Sequence, residues 1–409
     1  MLDSLLSGAA FGAALTATGM YQPTVIISQM KLENWHMVQT FLIASGASTL
    51  VVTLCQKLGL INVKPRNYSS LGLLGPLDGN IIGGCLLGIG MTLSGSCPGS
   101  VFAQVGAGVP AGLYTLGGCV LGGVLWSGFL RSNLASLKSK NQAAPPKPEN
   151  LTVHGALGAS EAAALVGVEA AFVGATAAIS ALGLVKTRGL VGPVLGGCLV
   201  AGAQLFSALA RKALLGTSAS FEELGDYILW LLRGGGEGKP KSYNSMAVVT
   251  GMMVGALGLS LAVPLPEVSP SMDIAASRLV LGGVLLTIGA RVGGGCTSGH
   301  GITGISLLSV SSFVSVASMF IGAFAVTSTS IFISSFISPA DSMVAAGRAF
   351  PNHLRSTGQT RGNASRSGTM YVTRTTSSTD APASSSARAT FRRHCSACST
   401  MSGDSAPVL

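Results

Sequence analysis

Apolar residues run in long blocks along this chain, separated by short polar or glycine-rich connections. The blocks cover roughly 5–20, 36–56, 75–95, 110–130, 156–185, 190–210, 223–232, 246–263, 278–292 and 311–337. A helix needs about 20 mostly apolar residues to cross some 30 Å of hydrocarbon. The pattern therefore predicts an all-α fold, a polytopic membrane bundle. The block at 223–232 is too short to span and predicts a partial or tilted helix.

Two of the connections are unlike the others. They read Gly95-Ser96-Cys97-Pro98-Gly99 and Gly294-Gly295-Cys296-Thr297-Ser298-Gly299-His300, and each follows an apolar, glycine-bearing block. Those blocks contain Gly83-Gly84-Cys85-Leu86-Leu87-Gly88-Ile89-Gly90 and Gly282-Gly283-Val284-Leu285-Leu286-Thr287-Ile288-Gly289. Moving the first segment forward by 199 positions carries Cys97 onto Cys296 and matches the leading glycines, two leucines and an isoleucine. So close a match around a scarce residue predicts two related halves. Pro98 removes a backbone donor, and the glycines weaken a helix, so both segments read as helix breaks. A short apolar stretch follows each, 100–108 and 301–309, ahead of a full-length helix. Irregular backbone at membrane depth is tolerated only where protein or a water-lined cavity satisfies its polar groups. Paired breaks of this kind line the substrate site in membrane transporters.

The expected organisation is a first membrane repeat over 1–131, a polar linker over 132–154 carrying Pro145-Pro146-Lys147-Pro148, and a second repeat over 155–337. A second polar connection, Arg233–Asn244, carries Gly234-Gly235-Gly236. From 338 to 409 the chain turns to Ser, Thr, Ala and Arg, too poor in large apolar residues to bury a core, and is expected to be disordered. The start lacks a basic n-region and a convincing cleavage site, so Met1–Tyr21 reads as a retained membrane segment.

Composition agrees with a membrane bundle. Only 10% of residues are charged, against about 25% in soluble domains, and there are 56 glycines, which let helix backbones approach closely. The net charge of +10 is not a nucleic-acid signal. Basic residues cluster at 57–66, 131–147, 233–241 and in the tail, as the positive-inside rule produces. The expected location is a multi-pass position in the lipid bilayer of the plasma membrane. The eight cysteines form no disulfide framework: Cys55, Cys85, Cys119 and Cys198 lie in apolar blocks, where a thiol acts as a small hydrophobe. Cys395-Ser-Ala-Cys398, after His394, has metal-like spacing but stands alone in the tail.

The chemistry concentrates at the two breaks. A half-helix starting after each would aim backbone N–H groups at an anion. Arg291 stands five residues before Cys296, either marking an anion path or snorkelling to the interface. His300 either donates to an anion or caps the break. The hydroxyls of Ser94, Ser96, Ser100, Thr297 and Ser298 replace part of an anion's hydration shell or cap local helix ends. Zinc would need four ligands, with only His300 an obvious third, and no acid–base array accompanies the thiols as in an enzyme. A thiol donates a weak hydrogen bond without the grip of a full charge, and permeation needs binding weak enough for release. The residues themselves point to a permease, not an enzyme, for a small anion with soft atoms. No cofactor is expected.

The segments Gly90–Gly99 and Gly289–Gly301 resemble the YeeE/YedE family of sulfur-transport membrane proteins, and the resemblance covers most of residues 1–337. It implies an all-helical, internally repeated, hourglass-shaped protein that takes up thiosulfate. Its helix breaks meet near the middle, where cysteine thiols hydrogen-bond the passing ion. On that analogy Cys97 and Cys296 are the two central thiols, with Gly95, Ser96, Pro98, Gly99, Arg291, Gly295, Thr297, Ser298, Gly299 and His300 around the substrate. The resemblance also implies a small sulfur-carrier protein as a cytoplasmic partner. Family members carry a further cysteine near the end of the first helix, where this chain has Gly19-Met20-Tyr21-Gln22-Pro23. Either Met20 or Tyr21 takes that place, or the substrate differs. The competing class is a membrane-bound thiol redox or sulfur-transfer enzyme, which would leave a covalent adduct on one thiol.

Overall fold

In the computed structural model the described residues are 1–141, 148–235, 240, 242–268 and 274–337, without the side chains of 139–149 and 330–337. The expectations for the tail, including His394, Cys395 and Cys398, lie outside them, as do Pro145, Pro146 and Lys147 of the linker. The described chain is all-helical. In order it forms α1 (Leu2–Ala17), α2 (Pro23–Met30), α3 (His36–Lys57), α4 (Asp78–Ser94), α5 (Ser100–Gly106) and α6 (Pro110–Leu125). There follow α7 (Arg131–Asn141), α8 (Val153–Leu157), α9 (Glu161–Ala181), α10 (Pro193–Arg211), α11 (Ala219–Leu232), α12 (Asn244–Ala262), α13 (Ala276–Val292) and α14 (Val310–Ile337). Among the described residues, six stretches are long and apolar enough to cross a membrane: His36–Lys57, Pro110–Lys138, Glu161–Ala181, Pro193–Arg211, Asn244–Ala262 and Val310–Thr329.

Local chemistry sets the ends. Pro23, Pro110 and Pro193 occupy first helical positions, where the missing N–H costs nothing. The Ser160 hydroxyl accepts from Ala163 N at 3.2 Å and starts α9. Three details differ from the sequence reading. The apolar block at 156–185 is divided, because Gly158 turns left-handed (φ 63°) and ends α8 before Ser160 begins α9. The polar stretch from Ser132 begins as helix: a π-helical turn at Trp126–Leu130 carries α6 into α7 up to Asn141. The stretch after the second break is a wide π-helical segment, Ser298–Gly304, and not an ordinary half-helix. There Gly301 packs against the Phe41 ring with no room for a Cβ, and Gly301 O accepts the Ser45 hydroxyl at 2.8 Å.

The centre of the bundle is an antiparallel pair, α4 against α13. A Cβ on Gly83 would lie 2.7 Å from Gly289 O, and one on Gly289 would lie 2.8 Å from Gly83 O. Likewise, a Cβ on Gly90 would lie 2.8 Å from Gly282 O, and one on Gly282 would lie 3.0 Å from Gly90 O. The contact is thus reciprocal, each glycine meeting the backbone of its opposite. In lipid such close approach replaces the hydrophobic drive that joins helices in water. Around this pair α1 packs on α12, α3 on α10, α4 on α14 and α6 on α13. By contrast, α9 buries only Ala164 and Ile179 and runs along the outside of the bundle.

Candidate functional site

Both breaks open with a left-handed glycine two residues before the cysteine: Gly95 at φ 61° and Gly294 at φ 79°. That conformation suits glycine, and it ends α4 and α13 inside the protein, where their last carbonyls need donors. At the first break Gln104 Nε2 donates to Gly95 O at 3.0 Å, while Gln104 Oε1 accepts the Ser96 hydroxyl at 2.5 Å. The second break is capped more heavily. Ser69 Oγ donates to Val292 O (2.6 Å), Asn80 Nδ2 to Gly293 O (2.9 Å) and Arg66 Nη1 to Gly294 O (2.9 Å). His300 Nε2 adds a contact to Gly293 O at 3.1 Å, and Nδ1 meets Ser312 Oγ at 3.0 Å. Of the two roles open to His300, the geometry is that of a cap, with both ring nitrogens engaged.

The connection from α3 to α4 supplies two of these donors, Ser69 and Arg66, and the first turn of α4 supplies Asn80 and fixes the connection. The Asp78 carboxylate accepts N–H bonds from Leu71, Leu73, Leu74 and Gly79. Asn80 Oδ1 accepts Ser69 N at 2.7 Å. The hydroxyls of Ser309 and Ser311 donate to Arg66 O at 3.1 and 3.3 Å. Arg66 is thereby held against the second break although it lies 228 residues from Gly294.

The two thiols have different surroundings. Cys97 N–H donates to Ser100 Oγ at 2.7 Å, and Ser100 N–H donates back to Cys97 Sγ at 3.2 Å, a reciprocal cap on α5. Cys97, Gly99, Ser100, Thr297 and Ser298 border one cavity of about 40 Å³, whose opposite walls include Met20, Met37 and Met91. That is room for a few water-sized bodies. Thr297 donates to Met91 Sδ at 3.6 Å. Cys296 is fully buried just beyond, its sulfur 3.2 Å from Ser298 Oγ and 3.4 Å from Thr217 Oγ1. A Cβ on Gly99 would sit 3.9 Å from both Cys97 Sγ and Ser298 Oγ, so Gly99 adjoins the Cys97 sulfur on one hand and, through the Ser298 hydroxyl, the surroundings of Cys296 on the other.

Other expected site residues are placed apart. Arg291 does not border this cavity; its guanidinium pairs with Glu222 of α11, which Arg131 also engages at 3.1 Å. Asp226 adds a second carboxylate on Arg131 at 3.1 Å, so Arg291 sits in a charge-balanced cluster. A Cβ on Gly295 would lie 2.7 Å from Arg66 Nη1 and 2.8 Å from His300 Nε2, so Gly295 makes space for the cap. Ser94 bonds Gly90 O at 2.7 Å along its own helix. Both post-break helices are seven residues long, too short for a large dipole at their starts. Met20, from the turn where family members carry their extra cysteine, borders the cavity, while Tyr21 turns away to donate to Pro266 O at 2.5 Å.

Sequence reasoning missed Thr217 and Arg66. Thr217 stands in the turn between α10 and α11, Arg66 in a connection noted only for its charge. Thr217→Val is expected to lower transport about fivefold, the cost of one neutral hydrogen bond of about 1 kcal/mol, with Thr217→Ser near wild type. Initial uptake rates at matched expression measure it, and equal rates for the valine variant would remove Thr217 from the path.

Helices of membrane length, built around two opposed helix breaks that adjoin one internal cavity, define an integral multi-pass membrane transport protein. Residues 18–325 match the family described as sulphur transport, and the chain belongs to that family. It is 24% identical over 325 residues to the thiosulfate transporter TsuA of Spirochaeta thermophila, covering 76% of this chain and 93% of the relative. It is also 31% identical over 127 residues to a probable transporter of Xylella fastidiosa, covering 31% of this chain and 83% of that protein. With this family and the spirochaete transporter as its relative, the chain is a sulfur-anion transporter, not an enzyme.

Proposed function

We propose that this protein carries thiosulfate across the plasma membrane through the two helix breaks, with Cys97 and Cys296 as successive hydrogen-bonding contacts. The observation that supports this reading best is that Cys97 and Ser298 border one cavity while the Ser298 hydroxyl lies 3.2 Å from the Cys296 sulfur. The name of the spirochaete relative supports thiosulfate as the ion.

Thiosulfate is a dianion whose charge is shared between three oxygens and a polarizable terminal sulfur. In this reading it enters the cavity among Met20, Met37 and Met91, whose thioethers suit the soft end, and meets the Cys97 thiol. Ser298 and Thr297 then replace water around the oxygens as the ion passes to Cys296. The thiol and hydroxyl contacts are neutral hydrogen bonds, individually weak enough to permit release, as conduction requires. No covalent bond forms, and both sulfurs arrive together. We further propose that α1–α6 and α10–α14 act as pseudo-symmetric halves, the reciprocal α4–α13 contact lying on the axis between them. In that scheme α9 has no counterpart.

The test is uptake of doubly sulfur-labelled thiosulfate by a host that lacks its own thiosulfate uptake and expresses the full chain. Saturable accumulation with both labels retained in equal ratio is expected. Absence of accumulation, at verified membrane insertion, would overturn the choice of ion. Unequal labels in the cell, with one sulfur left on the protein, would favour sulfur transfer instead.

A further inference from the structure

We propose that Arg66 is an anion-binding residue, its guanidinium edge taking two oxygens of a sulfur oxyanion whose terminal sulfur rests at Cys296. The proposal builds on the sulfur-anion permease reading and adds a residue to its path. Several observations carry it. A Cβ on Gly299 would lie 3.1 Å from Arg66 Nη2 and 3.5 Å from Cys296 Sγ, so the guanidinium and the thiol border the same spot. The side chain reaches there past Gly304, where a Cβ would lie 3.1 Å from Arg66 Cδ. Arg66 Nε is enclosed and has no hydrogen-bond partner. No carboxylate pairs with Arg66: the ion pairs among the described residues join Arg131 to Glu222 and Asp226, and Arg291 to Glu222. An enclosed guanidinium N–H without a partner, on a cation with no paired carboxylate among the described residues, is a place for an anion to bind.

The bland reading is that Arg66 merely caps α13 by donating from Nη1 to Gly294 O. The first break argues against that as the whole role. Gln104 makes the corresponding bond to the corresponding carbonyl, Gly95 O, at 3.0 Å with a neutral amide. Capping a left-handed glycine in this fold therefore needs no charge. Capping also uses one of the five N–H donors of Arg66, leaving the Nε–Nη2 edge, which has the fork geometry that fits a pair of oxyanion oxygens. The hydroxyls of Thr217 and Ser298, 3.4 and 3.2 Å from the sulfur, add polar groups around it. The two breaks are thus alike in backbone and unlike in charge, and the anion's strongest station is the second.

Arg66→Gln tests this, because glutamine keeps a donor for Gly294 O while removing the charge. In cells expressing the full chain, KM for thiosulfate uptake should rise at least tenfold in R66Q. Arg66→Lys, which keeps charge without the fork, should fall in between, and the exposed-site control Arg233→Gln should match wild type. With purified full-length protein, millimolar thiosulfate should raise the melting temperature of wild type but not of R66Q. Wild-type KM and wild-type stabilisation in R66Q would reduce Arg66 to a cap while leaving the transport reading intact. If R66Q does not insert, R66K decides, and a KM within twofold of wild type would overturn the bidentate assignment. Stabilisation by sulfate but not thiosulfate, lost in R66Q, would keep Arg66 as an anion site and defeat the choice of thiosulfate. No stabilisation of wild type by either anion would defeat both.

Discussion

Cys296→Ala is expected to abolish thiosulfate uptake, to below one hundredth of wild type, in a protein that still inserts and purifies normally. Cys296 is enclosed, with Thr217 and Ser298 hydroxyls on its sulfur and Arg66 across the gap at Gly299. Removing one sulfur atom there costs about 1 kcal/mol of packing, small beside the stability of a whole bundle. The two hydroxyls that lose it can bond to each other's neighbours or to water. What disappears is the only soft donor at the second break, beside the charge that we propose holds the ion. Cys85 makes the comparison. It lies on α4 where its backbone faces Gly322 of α14 and does not border the cavity, so Cys85→Ala should change stability at most. Normal uptake by C296A, or lost uptake by C85A at normal expression, would refute the assignment. Parallel measurement of the melting temperature separates a missing contact from a damaged fold.

The second large effect concerns assembly. Gly83→Val and Gly289→Val should each remove nearly all correctly folded protein, at least a tenfold loss of the monodisperse species in detergent. Their Cβ positions fall inside the partner's backbone, not against a side-chain end that can swing aside. Relief would require α4 and α13 to separate, and both breaks hang on those two helices. Overpacking a well-filled core ordinarily costs 1–3 kcal/mol, and a backbone obstacle leaves less room to adjust. Gly117 on α6 has no heavy atom within 4 Å of its Cβ position, so Gly117→Ala should be tolerated. Size-exclusion profiles of the three variants check this, and a wild-type profile for G83V would show that the close approach is dispensable.

The glycines and cysteines of the two breaks were legible in the sequence because their spacing repeats, and the structure places left-handed glycines at both matched positions, 95 and 294. The membrane helices were legible from apolar runs alone. What periodicity did not reveal was which loop residues fold back. Nothing local distinguishes Arg66 from other basic residues at 57–66; its place depends on Asp78 and Asn80 gathering the connection, then on serines 309 and 311 far along the chain. Arg291 was visible as an unusual charge, but its carboxylate lies on α11, and partner choice is a tertiary fact. The division between α8 and α9 was written in Gly158 and Ser160, and was hidden because apolar residues flank both. The π-helical course of Ser298–Gly304 follows from contact with Phe41 and Ser45, which no window of that segment contains.

The heavy capping of α13 has a consequence for the membrane potential. A helix that ends inside a bilayer normally leaves carbonyls to water, and a file of such waters conducts protons. Here the carbonyls of Val292, Gly293 and Gly294 are already occupied by Ser69, Asn80, His300 and Arg66. Water at the second break finds few acceptors on which to line up, and a fixed positive charge stands beside it. An ion that brings its own oxygens is expected to pass such a point more readily than a hopping proton.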